Sequence, residues 1–277
     1  MSKIFKIFDP FGITRSMLGD GRFTSVNYQA IYNAMTTPPN DTVAVNQDIL
    51  VKALEDSGVW TKLDIFYVFA QEINTASEAL INWKSPGTYD CTLGNIPTFT
   101  SLEGFTGNGT NAYLDTNFNP FVNKINLSLD STSFGVYVRT NVQENGRDIG
   151  CFDSSNLIEL ISRHTDGKAY YWSNNNAAPS VTNADSRGFY IANRTASNVQ
   201  DLYKNKSKIK AATNASVGIP NQDVFLFARN NNGTPTEFST KQLSMTFLAS
   251  GLTQGNIDNI TDAFEVYMDS NGKGIIP

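Results

Sequence analysis

The apolar positions change their period part-way along the chain. From about Thr98 to Ser250, short runs alternate apolar and polar residues and break at turn formers roughly every eight to twelve residues, as in a β-sandwich or barrel. Ile125, Leu127 and Leu129 share one face of a predicted strand, and Phe134, Val136 and Val138 one face of the next, with Ser131, Thr132 and Ser133 turning between them. Further strands are expected at 149–152, 157–162, 169–172, 189–193, 199–203, 207–211, 224–228 and 243–248. Ahead of this stretch the spacing is helical. Val26, Ala30, Ile31 and Ala34 suit a short helix capped by Ser25; Ile49, Leu50, Ala53 and Leu54 suit a second one, ended by Gly58. The apolar run 63–70 fits a buried strand or a short helix, and a helix is expected from Thr75 to Trp83. After the last strand, Ile257, Ile260, Phe264 and Tyr267 line a closing helix, with Thr253 as its N-cap and Asn271-Gly272 as its exit.

Composition adds to this picture. Hydrophobic residues make up 40% of the 277, enough for a core, while only 17% are charged. Neutral polar residues must therefore wet the surface, in runs such as Asn174-Asn175-Asn176 and Asn230-Asn231-Asn232 that favour turns. The net charge of −5 speaks against a nucleic-acid partner, which would need clustered cations. Lys204, Lys206, Lys208 and Lys210 alternate, and are expected on one solvated strand face. No stretch approaches the roughly 18 apolar residues of a membrane span, and the first residues lack the apolar core of a signal peptide. The expectation is a protein made in the cytoplasm, with no membrane partner. Cys91 and Cys151 lie far apart without metal-type spacing and are expected as buried free thiols.

Candidate chemistry is sparse. Glycoside hydrolysis needs two carboxylates flanking the sugar bond, often arranged on one strand as Glu-x-Asp-x-x-Glu; no such string occurs. Glu159 stands alone, and Asp148 and Asp153 are separated by a turn. No catalytic residue is assigned and no enzyme is expected. His164 is the only histidine, which removes any multi-histidine metal site; it is expected at a strand end. Asp269-Ser270-Asn271-Gly272 has the opening of a calcium loop without its later ligands. No cofactor is assigned, and calcium held by separate loops stays open with no ligands named. Stacking of a sugar on an aromatic flanked by amides is offered by Tyr170-Tyr171-Trp172 followed by the Asn run, making Tyr171, Trp172, Asn174 and Asn175 the candidate glycan-binding residues. The alternative is that Trp172 and one tyrosine turn into the core and the Asn run is a plain turn. Phe5, Phe8 and Phe11 are hard to bury within the short N-terminal stretch and are the candidates for an attachment segment, with a strap on the chain's own domain as the alternative.

Thr98-Phe99-Thr100, Gly104-Phe105-Thr106-Gly107-Asn108-Gly109 and Ala112-Tyr113-Leu114-Asp115-Thr116 together resemble the opening strand of laminin-G-like domains in bacteriophage virion proteins. Val224 to Asn230, leading to Gln242 to Phe247 and a Gly-Leu-Thr helix start, is similar to the end of such domains. Val199 to Asn205 resembles their hairpin, although Asn205-Lys206 replaces the usual Asn-Gly. The resemblance covers about 45–270. It implies a mainly β protein, a two-sheet antiparallel jelly roll of the concanavalin A or laminin-G kind, carried on a head fibre, tail fibre or capsid decoration. The expected division is an attachment arm at 1–44, a helical lead-in at 45–97 and the jelly roll at 98–277. Virion proteins and further copies of the chain are the expected partners, host surface glycans the alternative ones, and the virion the expected location.

Overall fold

The computed structural model describes residues 22–75 and 77–277. The first helices are α1 (Val26–Ala34) and α2 (Asp41–Asp56). Strands β1 (Leu63–Val68), β2 (Thr92–Gly94), β3 (Thr98–Thr100), β4 (Gly104–Thr106), β5 (Tyr113–Asp115) and β6 (Thr132–Val138) follow. Next come β7 (Ile149–Phe152), β8 (Leu157–Ile161), β9 (Lys168–Asn175), β10 (Ser180–Thr182), β11 (Gly188–Ala196) and β12 (Val199–Lys204). The series ends with β13 (Ser207–Ala212), β14 (Phe225–Leu226), β15 (Arg229–Asn231), β16 (Thr234–Thr236), β17 (Gln242–Ala249) and helix α3 (Gln254–Ser270).

The strands form two sheets packed as a sandwich. The eight-stranded sheet runs β13-β12-β11-β6-β17-β4-β3, with β1 also paired to β17. The nine-stranded sheet runs β10-β9-β8-β7-β14-β5-β2, with the β15–β16 hairpin attached to β7. Pairing is antiparallel except between β15 and β7. Ile65, Tyr67, Phe134, Val136 and Tyr190 of one sheet pack on Leu114, Ile149, Ile158, Leu160 and Tyr171 of the other.

A third layer covers the far side of the eight-stranded sheet. Phe66, Tyr137, Phe189 and Phe247 meet Leu50 and Leu54 of α2 and Ile257, Phe264 and Tyr267 of α3. With both faces covered, β1 and β6 are buried along their whole length, and 63–70 is apolar or aromatic at every position but Asp64. The expected caps are in place. Ser25 Oγ accepts from Tyr28 N, and Thr253 forms a reciprocal capping box with Asn256. Among the described residues no helix is long and apolar enough to cross a membrane.

Several expectations are corrected. Helix α2 starts earlier than the apolar stripe suggests, because Asn40, within the turn-like run, caps it by accepting from Thr42 N and Val43 N. Among the described residues between Thr75 and Trp83 only a short 3-10 turn, Glu78–Leu80, forms: Ser77 is left-handed, and Trp83 N is drawn to Phe66 O beside β1. Residues 125–129 are a loop, not a strand. Asp64 gathers the amides of Ile125, Asn126 and Leu127 at 2.6–3.0 Å, leaving Ile125 84% exposed while Leu127 is buried. The 45–97 segment supplies one strand to each sheet, β1 and β2, and is part of the sandwich. The lysines do not share a face, because Asn205-Lys206 forms the β12–β13 turn and the register shifts beyond it.

Candidate functional site

Among the described residues the three α-helices pack on the eight-stranded sheet, and none packs on the outer face of the nine-stranded one. Its side chains follow from register. Trp172 pairs with Glu159, Glu159 with Gly150, Gly150 with Phe225, and Phe225 with Asp115, so these residues form a transverse row on one face. Alternation along β9 sends Ala169 and Tyr171 into the sandwich core and Lys168, Tyr170 and Trp172 outward.

Tyr170 and Trp172 form a stacked pair, with ring centroids 6.1 Å apart and planes 19° from parallel, and both are partly exposed. Asp166 accepts from the Tyr170 hydroxyl at 2.7 Å, which holds its carboxyl down at about 2 and raises the phenol. His164 stands edge-on to Tyr170 at 5.3 Å, and its ring nitrogens meet Asp166 Oδ1 and Asn145 Oδ1. Asn145 in turn accepts from Arg147, through both its backbone and side-chain oxygens. The aromatic platform is thereby joined to a second group, a knot of two arginines and two glutamates.

In that knot Glu159 is fully buried, and its two oxygens take Arg147 Nε at 2.8 Å and Arg229 Nε and Nη2 at 2.5 and 2.9 Å. Arg229 reaches across β7 over Gly150, where a Cβ would stand a tight 3.3 Å from Glu159 Cγ and in ordinary contact, 3.5 Å, with Arg229 Cα. Glu237, more exposed, lies 3.0 Å from Arg147 Nη2 and 2.9 Å from Arg229 Nη1. Burial raises the Glu237 carboxyl while the two guanidiniums pull it back.

Of the residues expected at a glycan site, Trp172 alone faces outward. Tyr171 is buried, and its hydroxyl donates to Gln200 O at 2.9 Å between the sheets. Asn174 is buried at a left-handed position, where its amide donates to Leu129 O at 2.9 Å and Thr132 Oγ1 at 2.7 Å. Asn175 is buried beside Arg194 and Gln200. These two amides pin loops instead of meeting solvent. Tyr170, Arg147, Arg229 and Glu237 take their places on the outer face. Lys168 carried the signal for Tyr170, since a charge at the same parity as Trp172 marks the wet side of β9. Phe5, Phe8 and Phe11 lie outside the described residues. Among the described residues no group of three or more His, Cys, Asp or Glu could hold a metal ion. Cys91 and Cys151 are buried and free.

No family model and no curated protein matches the sequence. Solved structures do. The binding domain of botulinum neurotoxin serotype D is 10% identical, with a TM-score of 0.51, over 73% of this chain and 52% of that one. The receptor-binding domain of the mosaic serotype C/D toxin gives a TM-score of 0.53 at 10% identity, over 74% of this chain and 51% of that one. Trypanosoma rangeli sialidase, solved in complex with sialic acid, gives 0.54 at 10% identity, over 79% of this chain but 39% of the enzyme. The likeness is one of fold. This chain spans about half the length of the toxin domains and 39% of the sialidase.

Proposed function

We propose that this chain is a non-catalytic glycan-recognition protein, carried on a phage particle as an appendage or decoration. The observation that carries the glycan reading is the stacked Tyr170–Trp172 pair on the outer face of the nine-stranded sheet, flanked by His164, Asp166, Lys168 and Asn145. A sugar ring stacks its C–H face on such rings while its hydroxyls bond to the polar flank. The binding domain and the sialidase among the structural neighbours are consistent with such a use of the sandwich. The carboxylates considered for hydrolysis are committed elsewhere. Glu159 is held by two arginines, Asp148 is buried against Lys241 at 2.9 Å, and Asp153 binds the turn amides of Ser155 and Asn156. The test is a glycan array with the full chain and with Trp172→Ala: binding that survives the substitution removes this surface from the reading.

The particle reading draws on the motifs at 98–116 and 224–247. It predicts that virion proteins and further copies of the chain are its partners, with the attachment made by the part of the 1–44 arm ahead of α1, because Tyr28 and Ile31 of α1 are buried in the chain's own core. Deleting 1–24, including Phe5, Phe8 and Phe11, is expected to keep the chain off particles; incorporation of the shortened chain would assign attachment elsewhere.

A further inference from the structure

The arginines of the outer face are unequally used. Arg147 spends Nε on Glu159 and Nη1 on Asn145, and Arg229 spends Nε and Nη2 on Glu159. One nitrogen of each remains, Arg147 Nη2 and Arg229 Nη1, and both converge on a single oxygen, Glu237 Oε2, at 3.0 and 2.9 Å. That oxygen is buried, and neither contact has hydrogen-bond geometry. Arginine holds carboxylates best when each nitrogen meets its own oxygen along the N–H direction. Glu237 is thus an imperfect occupant of a site shaped for a carboxylate.

The main chain of Glu237 is held independently of its carboxylate: its O accepts from Arg147 N at 2.9 Å, and its φ of 55° lies in the left-handed region. Rotation about the side-chain bonds would then carry the carboxylate into solvent, where 28% of the side chain is already exposed. Two guanidiniums would be left facing Glu159 alone, a net charge of +1 beside Trp172, the strand partner of Glu159.

We propose that Arg147 and Arg229 form a carboxylate-binding centre, closed in the free protein by Glu237, and that the glycans recognised on the adjoining platform are acidic ones whose carboxylate displaces that side chain. This rests on the glycan reading and narrows its ligand class. The experiment is calorimetric titration of the full chain with a tetrauronate and with its carboxyl-reduced, neutral counterpart. The neutral form is expected to bind about tenfold more weakly, the loss of one well-formed charge-assisted contact. Glu237→Gln, which removes the competing charge, is expected to tighten uronate binding by about tenfold and to raise the acid-to-neutral ratio with it. Equal binding of both sugars by the wild-type chain overturns the carboxylate centre and leaves the glycan reading standing. A folded Glu237→Gln variant that binds uronate no tighter overturns the displacement. If that variant fails to fold, the acid-to-neutral ratio of the wild-type chain decides. Absence of binding to either sugar and to every glycan on the array overturns the glycan reading and this inference together.

Discussion

Arg229 grips Glu159 through two contacts, Nε to Oε2 at 2.5 Å and Nη2 to Oε1 at 2.9 Å, across 70 residues of sequence. The glutamate is wholly buried, and Arg147 is its other cationic partner. Removing Arg229 takes two charge-assisted hydrogen bonds from the buried Glu159 and leaves Arg147 as its remaining cation. Arg229→Met is therefore expected to lower stability by about 3 kcal/mol in urea unfolding. The exposed pair Lys206–Asp262 gives the contrast: Lys206→Ala is expected to change stability by less than about 0.5 kcal/mol. Equal effects at the two pairs would deny the outer-face knot its structural weight.

The two neighbours Tyr171 and Trp172 separate packing from recognition. Tyr171→Phe removes the hydrogen bond to Gln200 O and is expected to cost about 1 kcal/mol of stability with glycan binding intact. Trp172→Ala leaves the sandwich core untouched and is expected to abolish binding with a smaller loss of stability. Paired melting curves and titrations check both, and the opposite pattern would reverse the assignment of the β9 faces.

How far the sequence carried depends on where each constraint is local. Ser25 and Thr253 announced their helices because a cap and its amide lie within one turn. The strands of the sandwich showed in their alternation. What stayed hidden was set across the fold. Ile125, Leu127 and Leu129 alternate like a strand, yet a carboxylate some sixty residues earlier claims the amides that pairing would need. Asn174 and Asn175 have the composition of an exposed turn but sit at a β-bulge inside the fold. The arginine knot unites residues from 147, 159, 229 and 237, and no local spacing foretells it.

The Asp64 anchor is testable by itself. Asp64→Ala frees three buried or half-buried amides at once, and each hydrogen bond to a charged acceptor contributes about 1.5–3 kcal/mol. Hydrogen exchange at Ile125, Asn126 and Leu127 is expected to accelerate sharply, with strand β6 still protected. Unchanged protection at the three amides would mean that the loop is held by something other than this carboxylate.

Asp115 makes stability depend on pH. Burial, with the charge of Asp223 nearby, raises its carboxyl from 3.8 to about 6, although Asn117 N donates to it at 2.8 Å. The folded form thus holds this proton more tightly than the unfolded chain. Between pH 4 and 6 the folded state carries the proton and the unfolded state does not, so this group's contribution falls as pH rises and levels off above about 6. Asp115→Asn keeps an oxygen for Asn117 N and cannot ionise. It is expected to raise the melting temperature at pH 7.5 by a few degrees, about 2–4 °C, and to leave it unchanged at pH 4. Asp115 is only partly buried, so the gain stays well below that of a fully buried charge. A variant that melts with the wild-type chain at pH 7.5 would show that Asp115 is ionised in the folded protein without strain.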